Sequence, residues 1–259
     1  MQLIPPGLRR RLPVTTLLIM GLIAGAYYFV YVDGKRAYHI DWNFRRLGAM
    51  AGGVEERLAN YRRVLGNVVE HAEGQEDASD AIKRAAPLEQ VGELRYADAG
   101  AAARPGISTA VREELDEDGA WFVITARKAR ELTARLKIAE LAASVLETNG
   151  FDKLLLASPQ GEIFYQQGRR DVKLTSLAGL HGADGQAIGL ERLARAAGLL
   201  EVELSGKRYR LFTVPCADHW ILAALVRSDR LMLESLKVSA TVLLWLVALF
   251  LLAALAFPF

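Results

Sequence analysis

Tyr209-Arg210-Leu211-Phe212-Thr213-Val214-Pro215-Cys216-Ala217-Asp218-His219-Trp220-Ile221-Leu222-Ala223-Ala224-Leu225-Val226 is the stretch from which the rest of the chain can be read. Two β-favouring runs, Tyr209 to Val214 and Trp220 to Val226, flank a connection from Pro215 to His219. Another strand reads over Gly198 to Leu204 just ahead of them, after a mixed loop and helix region from Leu174 to Ala197. Earlier still, Phe151 to Ala157 runs into Ser158-Pro159-Gln160-Gly161 and then Glu162 to Gln167. A Pro-x-Gly turn between two such runs predicts a hairpin. From Asp229 a helix leads into the last apolar stretch.

Working back, Asp116-Glu117-Asp118-Gly119 is a turn signal and Ala120 to Ala126 reads as a strand. Arg127 to Glu147 has helical spacing through Leu132, Leu136, Ala139, Val145 and Leu146, and Asn149-Gly150 ends it. Ala97 to Gly106 reads as loop, and Gly74 to Ala86 as a polar break. Ahead of these, Ile40, Phe44, Leu47, Ala51, Val54, Leu58, Tyr61, Leu65, Val68 and Ala72 recur in steps of four and three. That is the seam of a helix packed against a neighbour, a rod of about 50 Å. Glycines cost about 1 kcal/mol in a helix, so a kink is expected near Gly52-Gly53. The seam has two readings: the helix lies along the chain's own sheet, or it pairs with a second chain.

Two stretches without a charged residue bracket this block: Val14 to Val32, 19 residues, and Val238 to Phe259, 22 residues. Each is long enough for a hydrocarbon core of roughly 30 Å. The expected organisation is a tail at 1–13, a transmembrane helix at 14–32, an outer block at 33–237 and a second transmembrane helix at 238–259. Arg9, Arg10 and Arg11 place the amino end in the cytoplasm and the block outside. A cleaved signal peptide is the alternative for the first span, since Ala24-Gly25-Ala26 fits a cleavage site. The apolar run continues past it through Tyr27 to Val32, which favours an uncleaved anchor in the lipid bilayer. Gly21 and Gly25 form a Gly-x-x-x-Gly pair that lets helices approach closely. A cytoplasmic output, if there is one, is expected outside this sequence.

The block carries 29 of the 32 Lys and Arg and all 30 Asp and Glu, one negative charge net, so no nucleic-acid partner is expected. Cys216 is the sole cysteine, which excludes an internal disulfide. His39, His71, His181 and His219 are scattered, and neither they nor Asp116-x-Asp118-Gly119 make a metal site. Gly106-Ile107-Ser108-Thr109-Ala110 misses the nucleophile-elbow pattern at its last residue, and no phosphate loop occurs. No enzyme activity and no cofactor are expected.

The chain resembles an extracytoplasmic Cache-type sensor domain, the PAS-related fold of bacterial chemoreceptors, sensor kinases and membrane-bound nucleotide cyclases. Three features carry the resemblance: the long helix leaving the first span, the hairpin of Phe151 to Gln167, and the closing run Tyr209-Arg210-Leu211-Phe212 … Pro215 … Trp220-Ile221-Leu222. It covers roughly residues 36 to 237, and it implies an α+β fold, a long amino-terminal helix on a PAS-like antiparallel sheet. It also implies a bacterial inner-membrane receptor, working as a homodimer, that senses a small molecule and passes a shift of its last helix through the second span. The Arg-x-Trp-Tyr motif of amino-acid-binding double-Cache receptors is missing here. A pocket would be built on the sheet from Tyr165, Gln167, Tyr209 and Arg210, with Asp218 and His219 in a loop that could cap it. Arg210 would suit a carboxylate-bearing ligand through two charge-assisted hydrogen bonds. The rival is a scaffold protein whose outer block docks a partner without a small ligand.

Overall fold

The structure, a computed structural model, describes residues 21, 22, 25, 31–71, 80, 83, 91–98, 108–116, 119–127, 130–148, 150–172, 174–182, 185–217, 220–231, 245 and 248. The chain divides into two compact units, one being Phe44–Arg227 and the other Met1–Asn43 with Ser228–Phe259. The two expected spans fall almost wholly outside the described residues, and no helix among the described residues is long and apolar enough to cross a membrane.

Helix α1, Asp33–His71, is 39 residues long, or about 58 Å. It is helical throughout, Gly52 and Gly53 included. A Cβ on Gly53 would come within 2.7 Å of Val145 Cγ1, so this glycine serves close helix packing. Along the seam, Leu47, Ala51, Val54, Leu58, Tyr61, Leu65 and Val68 are all buried. Phe44 meets Phe212 edge to face at 5.2 Å, and Cys216 Sγ donates to the carbonyl of Ala51 at 3.7 Å. Of the two readings of the seam, packing against the chain's own sheet is therefore satisfied within one chain.

The first sheet comprises β1, Val91–Asp98, β2, Ser108–Asp116, β3, Gly119–Arg127, and β4, Arg130–Lys137, in the order β1-β4-β3-β2 with every pair antiparallel. Its β2–β3 register closes at Asp116 opposite Gly119, the tight turn read from the sequence. Two expectations give way. Ala97 and Asp98 belong to β1, not to a loop, and Arg130–Lys137 is a strand, not the start of a helix. Leu132 and Leu136 are four apart and fit either period. Ala134 between them is also fully buried, which only a period of two explains. The helix of that region, α2, is confined to Ile138–Val145 and packs against β3, β4 and β6.

The second sheet comprises β5, Lys153–Ala157, β6, Ile163–Gly168, β7, Gly198–Leu204, β8, Lys207–Cys216, and β9, Trp220–Arg227. Its order is β6-β5-β9-β8-β7, again all antiparallel. The two-residue link Ser205-Gly206, both with positive φ, joins β7 to β8. One face carries Leu154, Leu156, Phe212, Leu222 and Ala224 towards α1; the other carries Leu155, Leu211, Ile221, Ala223 and Leu225. Helix α3, Leu190–Arg195, and the segment before it cover that second face. The predicted hairpin and closing strands are all present.

Candidate functional site

The residues expected to line a pocket divide between the two faces of the second sheet. Tyr165 and Gln167 stand two apart on β6 opposite Leu156 and Leu154, so they share the α1-side face. The Tyr165 hydroxyl donates to Gln167 Oε1 at 2.7 Å, and partial burial raises its pKa above the ordinary phenol range. Arg210 lies on that same face, buried, and its guanidinium donates to Glu201 Oε1 at 3.4 Å from the neighbouring strand. Tyr209, the next residue, points the opposite way into an apolar cluster with Leu155, Leu177, Leu193 and Leu225. Burial, and then the charges of Asp171 and Asp152, push its hydroxyl upward. Asp218 and His219 lie outside the described residues. Of the described candidates, Tyr165, Gln167 and Arg210 share one face of the sheet and Tyr209 lies on the other.

The outer face of the second sheet is filled by its own chain. Val172, Leu174, Leu177, Leu180, Leu193 and Ala194 cover it and are all buried. Gly161, at φ +91°, makes this close cover feasible: a Cβ there would stand 2.9 Å from the nitrogen of Ala178. Its carbonyl accepts from the Leu177 amide at 2.8 Å and from Ser176 Oγ at 3.0 Å.

The outer face of the first sheet has the opposite chemistry. Across its strands the register sets Glu93, Arg135, Val123 and Arg112 in one row. Lys137, Trp121 and Glu114 form the next row on one side, and Arg95, Thr133 and Thr125 on the other. The Arg135 guanidinium stands 4.8 Å from the Trp121 ring centre and Lys137 Nζ stands 5.7 Å from it. Gly92 leaves room for the indole, since a Cβ there would come within 2.7 Å of it. Arg135 also reaches Glu93 at 3.3 Å and Glu114 at 3.5 Å, while Arg112 pairs with Glu114 at 2.8 Å. Hydrogen bonds from Arg95 first, and then Arg135, hold the Glu93 carboxyl below the usual carboxylate range. Thr125 and Thr133 hydroxyls lie 3.4 Å apart in the middle of the face. A ring with flanking cations, paired carboxylates and two hydroxyls can bind a small polar molecule through complementary charge.

A groove of about 720 Å³ also runs between α1 and α2, lined by Glu56, Arg57, Asn60, Arg63 and Ser144. Most of these side chains are exposed, and Arg63 donates to Asn60 Oδ1 at 2.7 Å. Among the described residues no three His, Cys, Asp or Glu side chains are grouped as metal ligands.

No family model and no curated protein matches the chain. Solved structures do. The ligand-binding domain of the Pseudomonas aeruginosa PAO1 amino-acid chemoreceptor PctB, in complex with L-Arg, superposes with a TM-score of 0.50 at 14% identity. The match covers 73% of this chain and 95% of that one. The chain shares the fold of that ligand-binding domain. The PctC ligand-binding domain with GABA, from the same organism, gives 0.48 at 14% identity over 73% and 99% of the two chains. The Campylobacter jejuni Tlp3 sensory domain with isoleucine gives 0.48 at 9% identity over 78% and 97%. Two sheets are present, and the polar outer face of the first one escaped the sequence reading. Its signal was there: Glu131, Thr133, Arg135 and Lys137 alternate with Leu132, Ala134, Leu136 and Ile138.

Proposed function

We propose that the protein is a membrane-anchored, extracytoplasmic sensor of a small molecule bearing a carboxylate, with the outer face of the first sheet as its ligand surface. The observation that carries this reading is the contrast between the two outer faces. One is filled by apolar side chains of the chain itself, and the other presents Trp121, Arg135, Arg112, Thr125 and Thr133. A carboxylate would pair with Arg135 beside Trp121, and an ammonium group, if the ligand has one, with Glu93 or Glu114. PctB, whose fold this chain shares, is a domain in complex with L-Arg, which makes amino acids a sensible part of the ligand panel. Tyr165, Gln167, Tyr209 and Arg210 then serve the second sheet, and Asp218 stays a candidate for a capping role. Two apolar stretches at 14–32 and 238–259 anchor the block, a homodimer is the working form, and the shift on binding passes to the second span.

The scaffold reading requires an exposed apolar patch for its partner. Among the described residues of 33–237 the exposed large apolar side chains are Tyr38 and Trp42 on α1 and Leu199 on β7. The sensor reading is preferred on the contrast between the two outer faces. The test is a thermal-shift screen of small carboxylates and amino acids on the full chain in detergent, with Arg135→Ala and Arg210→Ala alongside. A stabilising ligand is expected to lose its effect in Arg135→Ala and keep it in Arg210→Ala. Equal stabilisation of both variants removes the ligand from the first sheet's outer face, and a panel with no stabiliser favours the scaffold.

A further inference from the structure

Asp152 sits one residue ahead of β5, is only 3% exposed, and uses its polar groups to tie the ends of three strands together. Its amide donates to the Leu225 carbonyl at 2.9 Å, and its carbonyl accepts from the Arg169 amide at 2.9 Å. Its Oδ2 accepts from the backbone amide of Arg227 at 2.8 Å, and its Oδ1 lies 3.8 Å from Arg169 Nη1. Arg169 is itself held by a fork to Asp171, both contacts at 3.0 Å. Beside them, Lys153 is 6% exposed and donates to the Arg169 carbonyl at 3.2 Å. Gly168 closes the knot: at φ +119°, a Cβ would stand 2.4 Å from the Asp152 carbonyl oxygen.

The position of this knot gives it meaning. Arg227 is the last residue of β9 and the last of the compact unit Phe44–Arg227. The β5–β9 ladder ends two residues earlier, at Lys153 opposite Leu225. On that side the Arg227 amide is met by a carboxylate in place of a strand carbonyl. A buried carboxylate is a costly group to keep, and a shorter ladder could have ended in water or in another main-chain bond.

We infer that Asp152 is the positioning residue for the outgoing end of β9: a carboxylate latch that fixes where the sheet hands over to the segment leading to residues 238–259. Its use as an output junction rests on the sensor reading, whereas the latch itself stands on the geometry alone. Opening it frees residues 225–227 as a local unit without disturbing the first sheet.

Hydrogen exchange on the full chain in detergent, read by mass spectrometry on peptides ending β9 and on peptides of β3, tests this. Charge-assisted bonds are roughly twice as strong as neutral ones, so Asp152→Asn is expected to speed exchange at 225–227 about three-fold. Asp152→Ala, which removes the acceptor, is expected to speed it about ten-fold or more. Exchange in β3 is expected to stay at the wild-type rate in Asp152→Asn. If Asp152→Ala does not fold, the Asn comparison decides alone. Wild-type rates at 225–227 in Asp152→Asn, or acceleration spread equally into β3, overturn the latch. Failure of every carboxylate in the ligand screen leaves this exchange pattern standing, so the two readings fail separately.

Discussion

Phe122 and Trp220 lie ring on ring, centroids 3.9 Å apart and planes 5° from parallel. Phe122 belongs to the middle of the first sheet and Trp220 opens the last strand of the second. Both are almost wholly buried, and Phe164 of β6 meets the Trp220 ring edge-on at 6.5 Å. The stacked pair joins the inner faces of the two sheets, so it is where their stabilities are coupled. Either alanine substitution is expected to cost about 3–5 kcal/mol in denaturant unfolding. The double variant is expected to cost less than the sum by about 1 kcal/mol. Strict additivity would mean that the sheets are held together elsewhere.

Leu58 and Leu65 sharpen the question of the helix seam. Each is about 1% exposed or less inside a single chain. Aspartate at Leu65 therefore buries an uncompensated charge, at a cost of about 4 kcal/mol, and is expected to unfold the block whatever its oligomeric state. Circular dichroism of the full chain in detergent checks it. A variant that keeps its fold and loses only self-association would return the seam to an interface between chains.

Gly168 and Gly206 both have positive φ, yet their surroundings differ. Nothing lies within 4 Å of a Cβ built on Gly206, whereas at Gly168 the Asp152 carbonyl lies 2.4 Å away. Gly206→Ala is expected to cost about 1 kcal/mol, the penalty of the left-handed backbone alone. Gly168→Ala is expected to cost well above that, about 3 kcal/mol, because the backbone of Asp152 has to move. Paired unfolding curves decide, and equal costs would mean that the Gly168 turn can relax.

Cys216 is buried beneath α1, and burial pushes its thiol up to about 12, with Glu55 adding to the effect. At pH 8 about one thiol in ten thousand is then ionised, and the thiolate is the reactive form. Alkylation of the native protein is expected to run at least about 100-fold slower than in denaturant. Labelling at similar rates would place the thiol in contact with solvent.

The second sheet was legible because its strands are separated by turn residues and rich in Leu, Ile, Val and aromatics. Gly161 and the Pro159-x-Gly161 turn marked one hairpin, and Trp220 to Val226 could hardly be anything but a strand. The first sheet was harder for a physical reason. Val91–Asp98 and Ser108–Asp116 carry Glu93, Arg95, Arg112 and Glu114, charges that read as loop until a partner strand supplies the ladder. Leu132 and Leu136 satisfy helix and strand periods together, and only the burial of Ala134 separates them. The candidate surface was missed with the strands that build it. Arg210 was read as a candidate ligand anchor, and nothing in its own strand reveals Glu201, which the β7–β8 register places opposite it.

In the first sheet, one side chain in two belongs to the core and the next belongs to the surface. Phe122, Ile124, Ala134 and Leu136 hold the packing, while Trp121, Thr125, Thr133 and Arg135 stand on the far side of the same strands. Mutation can therefore rewrite the second set and leave the first untouched. Drift confined to that one face can change its charge and hydrogen-bonding pattern while the fold stays constant.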